Sequence, residues 1–410
     1  MAEGTQPDAD GTTSAGRALQ SLEDRKQGQV ATGWYQSNLS GDPGISELHA
    51  TEVPLYVRIP DGYTGHYFFH ADTVYLNAGT LPGNDLDIAY KYGKIAALGN
   101  AGLGSINETA TGVALAAGYE FSGANNSWRA DIGSTPVGFP ITSVLGGIQY
   151  RHDFPSGSSL SLDVSRRPVT ASLVSYAGGI DPVTGEKWGG VVRNGFTVRG
   201  AQDFGPGTIF TSIGFGLLTG TNVETNQEFK VRSGYDWSVF KRPDQIVSSG
   251  LTLNYWKYSK NEHNYTFGNG GYYSPQSYFS VSIPLDWTGR YKKLSWEIDG
   301  SVGMSFTNEN ESPFYPTRPG LQAQALAFMS ANDLGSPFFG GGSGGGFSYT
   351  VEAAAEYRVT EHFVVGGRFR LDRSRDYAPN VGVLYLRYFF SPQKGPVPFP
   401  PRPVVPYSAY

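Results

Sequence analysis

The chain has 410 residues, 39% of them apolar and 14% aromatic, with 55 glycines, no cysteine and a net charge of −5. No run approaches the roughly 18 apolar residues of a membrane-spanning helix, and the mean hydropathy of −0.31 excludes a helical membrane protein. Disulfides and zinc–thiolate sites are excluded with the cysteines, and a net charge spread along the chain argues against nucleic acid or an anionic lipid surface as a partner.

The length suits two or three soluble domains or one large barrel, and the glycine and aromatic content favours strands over helices. The opening MAEGTQPDAD has neither a basic nor an apolar segment, so it does not read as a signal peptide. Export would then require a signal on a longer precursor. Residues 13–28, TSAGRALQSLEDRKQG, read as a short amphipathic helix stopped by Gly28.

From residue 29 onward the dominant pattern has period 2. Leu160, Leu162 and Val164 alternate with Ser161, Asp163 and Ser165, and Leu294, Trp296 and Ile298 with Ser295, Glu297 and Asp299. Sixteen such stretches are expected near 29–38, 47–58, 65–77, 109–121, 127–135, 143–152, 158–167, 189–201, 207–219, 227–239, 247–259, 276–286, 291–304, 346–358, 362–373 and 380–390. Their length, about ten residues, and the aromatics near their ends point to an all-β fold, a transmembrane antiparallel β-barrel.

The connections alternate in length. GANN (123–126), FPSG (154–157), FGPG (204–207), KRPD (241–244), TG (288–289) and VTE (359–361) are short, whereas 79–108, 168–188, 260–275 and 305–345 are long. Short periplasmic turns on one rim and long extracellular loops on the other are how outer-membrane barrels are built. Sixteen strands leave a lumen wide enough for water. The glycines of GGGSGGGF (340–347) read as a flexible loop. After Phe390 the tail holds seven prolines, and proline cannot donate to a ladder, so this segment is not a strand. The expected organisation is a linker over 1–28, a barrel over 29–390 and a proline-rich tail over 391–410. The tail, with Phe399, Tyr407 and Tyr410, is expected to return along the periplasmic rim or into the lumen.

No P-loop, HExxH, GxSxG or EF-hand motif occurs, so no enzyme, cofactor or metal is expected. His66 and His70 share one strand face and read as ordinary wall histidines, as Glu297 and Asp299 read as wall carboxylates rather than a hydrolytic pair. Eleven basic residues point inward: Arg129, Arg151, Arg167, Arg193, Arg199, Lys230, Arg232, Arg358, Arg368, Arg370 and Arg387. Eleven acidic ones do the same: Asp131, Asp153, Asp163, Glu228, Asp236, Asp286, Glu297, Asp299, Glu352, Glu356 and Asp372. Such a balanced wall is unsuited to a polyanion and compatible with a neutral cargo. Tyr56, Trp256, Tyr258, Tyr278 and Tyr385 add flat inward faces on which a sugar ring can lie.

The stretch TFGNGGYYSPQSYF (266–279) sits on the long-loop rim, just before a strand. Thr266, Phe267, Gly268, Gly270, Gly271, Tyr272, Ser274, Pro275 and Gln276, followed by Pro284, Trp287, Gly289 and Arg290, form a long motif, and ESPFYPTRPGLQAQ (311–324) accompanies it. With these residues the chain, from about 29 to 390, resembles the C-terminal outer-membrane barrel domain of the bacterial cellulose synthase C subunit. The resemblance implies a channel in the outer-membrane lipid that passes nascent β-1,4-glucan to the cell surface. It also implies an upstream periplasmic array of tetratricopeptide repeats, of which residues 13–28 would be the remnant, and an indirect link to the inner-membrane synthase complex. A general diffusion porin and an export channel for another neutral exopolysaccharide are the alternatives. Tyr272 and Tyr273 are expected to fold into the mouth as part of a gate.

Overall fold

In the computed structural model the described residues are 26–81, 106–181, 184–373 and 379–410. The linker helix expected over 13–28 falls almost wholly outside them, as does most of the connection 79–108. Sixteen long antiparallel strands form one sheet. They are β1 (Gln29–Leu39), β2 (Leu48–Asp61), β3 (Gly65–Leu81), β4 (Ile106–Ser122), β5 (Asn126–Ser134), β6 (Val144–Asp153), β7 (Ser158–Pro168) and β8 (Lys187–Phe204). There follow β9 (Gly207–Thr221), β10 (Asn226–Arg242), β11 (Gln245–Tyr258), β12 (Ser277–Tyr291), β13 (Leu294–Glu309), β14 (Gly342–Arg358), β15 (Phe363–Arg373) and β16 (Asn380–Phe389). Each pairs with its neighbours in sequence, and β1 closes on β16 through ten register pairs, Gln29↔Phe389 to Asn38↔Asn380. The fold is thus a closed sixteen-stranded β-barrel, as the alternation predicts.

The outer surface is apolar. Leu160, Leu162 and Val164 are 47, 44 and 52% exposed, whereas Asp163 between them is 8% exposed. Exposed apolar side chains in this repeat make a belt suited to lipid, and strands of 9 to 18 residues exceed or match the roughly 9–11 needed to cross a bilayer at a tilt. On the short-turn rim the chain reverses at 62–64, 123–125, 154–157, 205–206, 243–244, 292–293 and 359–362. The longer connections lie on the opposite rim.

Two expectations are corrected. The turn expected at 288–289 lies at 292–293: Thr288, Gly289 and Arg290 stay in the ladder opposite Glu297, Trp296 and Ser295. Lys292 makes the reversal with φ of 54°. Gly289 instead makes room for an indole, since a Cβ there would lie 2.6 Å from Trp296 Cζ2. The glycines read as a flexible loop are largely strand. Gly342, Gly344, Gly345 and Gly346 pair with Glu309, Thr307, Phe306 and Ser305, and the Phe306 ring lies over Gly345, where a Cβ would approach it to 2.9 Å. The partner strand holds them in place of side chains of their own.

Neighbouring residues on β13 test which face meets lipid. Val302 is an exposed outward residue near mid-strand, and Val302→Arg should destabilise the barrel by about 2–4 kcal/mol. Ser301→Arg points into the polar lumen, toward the side of Asp299, and should cost far less. Urea unfolding in lipid vesicles checks both.

Candidate functional site

The segment 259–276 between β11 and β12 is folded into the mouth, where loops from around the rim share one apolar core. Phe267 and Tyr272 from this segment pack with Ile45, Leu81, Val174, Trp188, Val223, Phe314, Tyr315, Ala325 and Met329. Ala325 and Met329 are the buried residues of helix α2 (Pro319–Ala331); the four-residue helix α1 (Leu173–Tyr176) supplies Val174. Fully burying a ring such as Phe267 stabilises by about 1.5–3 kcal/mol, so this plug is a small hydrophobic core rather than a loose set of loops.

Polar contacts fix its register. Trp188 Nε1 donates to Asn269 O at 3.0 Å, Asn269 Nδ2 to Thr266 Oγ1 at 2.7 Å, and the Thr266 hydroxyl to the Phe314 carbonyl. Gly268 and Gly271 have φ of 105° and 67°, a region that costs a residue with a Cβ. A Cβ would lie 2.7 Å from Thr317 Oγ1 at Gly268 and 2.9 Å from Ser172 Oγ at Gly271. The two glycines therefore let the motif touch the loops on either side of it.

The tail enters the lumen from the opposite rim. Phe390 N donates to Gly28 O at 3.0 Å and Gln393 N to Glu361 O at 2.7 Å. Arginines of three strands then meet its carbonyls: Arg358 at Gly395, Arg290 at Val397 (3.4 Å) and Arg387 at Arg402. Proline removes N–H donors from this segment, which reduces the number of backbone partners it needs inside the barrel. Farther in, Tyr407 N donates to Asp72 Oδ2 at 2.6 Å, and Tyr407 OH to Asp131 Oδ2 at 2.7 Å. Ser408 Oγ lies 3.1 Å from both Glu52 oxygens, and the Tyr410 hydroxyl bonds the His70 ring. The Arg129 guanidinium lies between two rings, 4.2 Å from the Phe68 centroid and 3.9 Å from that of Tyr410.

The inward face of β3 shows both closures in order. Phe68, His70 and Asp72 meet the tail. Val74, Leu76 and Ala78 pack with Phe139, Leu173 and Tyr176 at the plug end. Tyr176 and Ser408 are hydrogen-bonded, and burial together with the nearby Glu52 carboxylate pushes the Tyr176 hydroxyl well above its usual range.

The aromatics expected to line a path fall in four places. Tyr56 and Tyr385 pack with Val404 of the tail, and Tyr385 OH donates to Glu356 at 2.7 Å. Tyr258 and Tyr272 belong to the plug core, with Tyr272 only 3% exposed; Asn226 Nδ2 donates to its oxygen at 3.2 Å. The Tyr272 ring is thus covered on its faces by the plug's own packing. Tyr273 OH is 2.6 Å from Thr307 Oγ1. Just below the plug, Trp256 and Tyr278 are opposite residues of β11 and β12, stacked at 4.7 Å and 23°. Lys230 Nζ lies 5.1 Å from the Trp256 centroid and 2.6 Å from Glu228.

The motif runs from the plug down the length of β12. Thr266 to Gln276 build the plug. Midway along β12, Pro284 O accepts from Ser249 Oγ at 2.8 Å, and toward its far end the Trp287 ring meets Trp296 at 5.9 Å. Arg290 pairs with Asp244 at 2.8 Å and reaches the tail. Many wall charges neutralise one another: Arg167 with Asp131 (2.6 Å), Arg387 with Glu356 (3.0 Å), Arg368 with Glu352 (2.5 Å). Asp286, Glu297 and Asp299 form a half-buried carboxylate cluster on the wall. Neither Glu52 nor Asp72 stood out in the sequence; their value appears only once the tail lies beside them.

This is a transmembrane β-barrel of the outer-membrane type, plugged at one rim and threaded by its own tail at the other. Residues 46–391 match the family described as the C-terminus of cellulose synthase operon protein C, and the chain belongs to that family. It is 35% identical over 376 residues to cellulose synthase operon protein C of Escherichia coli strain K12, covering 90% of this chain and 31% of that protein. The protein of the same name from Pseudomonas fluorescens strain SBW25 is 31% identical over 397 residues, covering 96% and 29%. The chain thus spans about a third of the length of these relatives. A bacterial polysaccharide outer membrane secretin has the same fold, with a TM-score of 0.54 at 12% identity, over 90% of this chain and 99% of the other.

The tail's anchorage separates two kinds of loss. Asp131→Ala leaves the Arg167 guanidinium buried without its partner and should cost about 3–5 kcal/mol. Tyr407→Phe removes hydroxyl contacts and keeps the ion pair, and should cost about 0.5–1.5 kcal/mol. Chemical unfolding in detergent micelles distinguishes them.

Proposed function

We propose that the barrel is an outer-membrane export channel for nascent β-1,4-glucan and that it moves the chain without chemistry of its own. The observation that carries this reading is family membership joined to a lumen occupied at two levels. A general diffusion porin works with a standing water-filled path, whereas a channel for a chain supplied from below needs a path that opens only around its cargo. The paired wall charges suit a neutral polymer. The stacked Trp256–Tyr278 pair offers a flat apolar face just beneath the plug, worth about 0.5–1.5 kcal/mol to a sugar ring by analogy with aromatic pairs. Contact that weak lets the chain slide on. The periplasmic repeats and the inner-membrane synthase complex are the partners that would deliver the chain, and the segment 260–275 is the gate.

Deleting 264–273 should leave a folded, heat-modifiable barrel and raise ion current in planar bilayers. Replacing Tyr272 and Tyr273 by alanine in the full-length protein should reduce glucan release without blocking assembly, and Trp256→Ala should do the same. Unchanged current and unchanged export in all of these would leave the loop a mere connection. High current through the unmodified barrel would favour the porin.

A further inference from the structure

Glu262 lies inside the plug segment and is 1% exposed. Its backbone is fixed, since Glu262 N donates to Ser274 Oγ at 2.7 Å and Glu262 O accepts from Tyr272 N at 3.3 Å. Both carboxyl oxygens are buried without a hydrogen bond of normal geometry. The groups acting on the carboxyl are Glu224, from the connection between β9 and β10, the Gly270 N–H and Lys260. Lys260 is already engaged, its Nζ 2.6 Å from Glu224 Oε1. Tyr272, on the same segment, feels the charges of Glu262, Glu228 of β10 and Glu224, and Tyr258 of β11 bonds Glu228 at 2.6 Å. His263 faces away from this group, toward Glu309 at 3.4 Å.

An ionised carboxylate in a buried site, with only the poorly placed Gly270 N–H to receive, is costly, and a second carboxylate beside it makes it more so. A neutral acid has neither difficulty and can donate its proton to the neighbour. We propose that Glu262 is a proton-held latch, closing the plug as the neutral acid hydrogen-bonded to Glu224 and releasing the segment when the proton leaves to solvent. The latch rests on the reading of 260–275 as the gate.

Burial first, then Glu224, pushes the Glu262 carboxyl up to about 9 from its ordinary value of 4.5. In an open plug the group meets water and returns toward its ordinary range. The closed state therefore binds one more proton than the open state between those two values. The latch is fully effective at the acid end of that window, weakens up to tenfold per pH unit across it, and is lost as pH rises through the upper value.

The test is ion current through the full chain in planar bilayers at pH 5, 7 and 9, for the unmodified protein, for Glu262→Gln and for the deletion of 264–273. The unmodified channel should be tightest at pH 5 and open progressively toward pH 9. Glu262→Gln, a permanently neutral side chain, should stay closed throughout. The deletion should be open and insensitive to pH. Alkaline opening of Glu262→Gln equal to that of the unmodified protein overturns the latch while leaving the gate intact. A deletion indistinguishable from the unmodified protein overturns the gate itself, and the latch with it. If Glu262→Gln does not assemble, Glu224→Gln serves instead. With the neighbouring charge gone and Lys260 freed, the pH response should shrink, and an unchanged response overturns the proposal.

Discussion

Water does not reach the hydrocarbon interior, so each unpaired N–H or C=O on a strand edge there costs several kcal/mol. The pairing of Gln29–Asn38 with Asn380–Phe389 removes both edges at once, and the other features of the molecule presuppose it. Closure sets the alternation, because every strand then has one face toward lipid and one toward the lumen. It also makes a lumen that can be entered from only two ends. The plug occupies one and the tail the other, and the buried polar residues that hold the tail, Glu52, Asp72 and Arg387 among them, would have no reason to be buried in an open sheet.

The barrel was legible because its signal is local and repeated. Leu160–Ser165 states the period within six residues, and the same statement recurs around the sheet. The errors fell where a residue serves a neighbouring strand rather than its own. Gly289 looks like a turn residue until Trp296 is placed against it, and Gly345 looks flexible until Phe306 covers it. The motif 266–276 identified the family from sequence, but its burial depends on Trp188, 78 positions before its first residue, and on Phe314 and Met329, 38 and 53 positions after its last. Tyr272 is packed on every side in the plug core, and that packing was not visible in one segment. Glu262, an ordinary acid between Asn261 and His263, acquires its character first from burial in the plug and then from Glu224 across a loop boundary.

Polar residues in the lumen do two kinds of work. Some neutralise each other across adjacent strands, as Arg368 and Glu352 do. Others hold the tail: Arg387 divides its guanidinium between Glu356 and the Arg402 carbonyl, and Arg167 contacts both Asp131 and Tyr407. The balance of charge noted in the sequence is therefore partly an internal account of the protein with its own tail, and the neutral character of the path follows from that pairing.

Strand β12 links the two closures in sequence, with the plug motif at its start and Arg290 near its end. It is hydrogen-bonded to β11 on one flank and, from Ser277 to Tyr291, to β13 on the other. A ribbon pinned along both sides neither stretches nor slides without breaking many bonds together. Pulling on the plug end thus cannot be felt as tension at Arg290. The motif's halves share a rod but not a displacement, and the mouth and the tail also meet through side chains inside the barrel, as Tyr176 and Ser408 do.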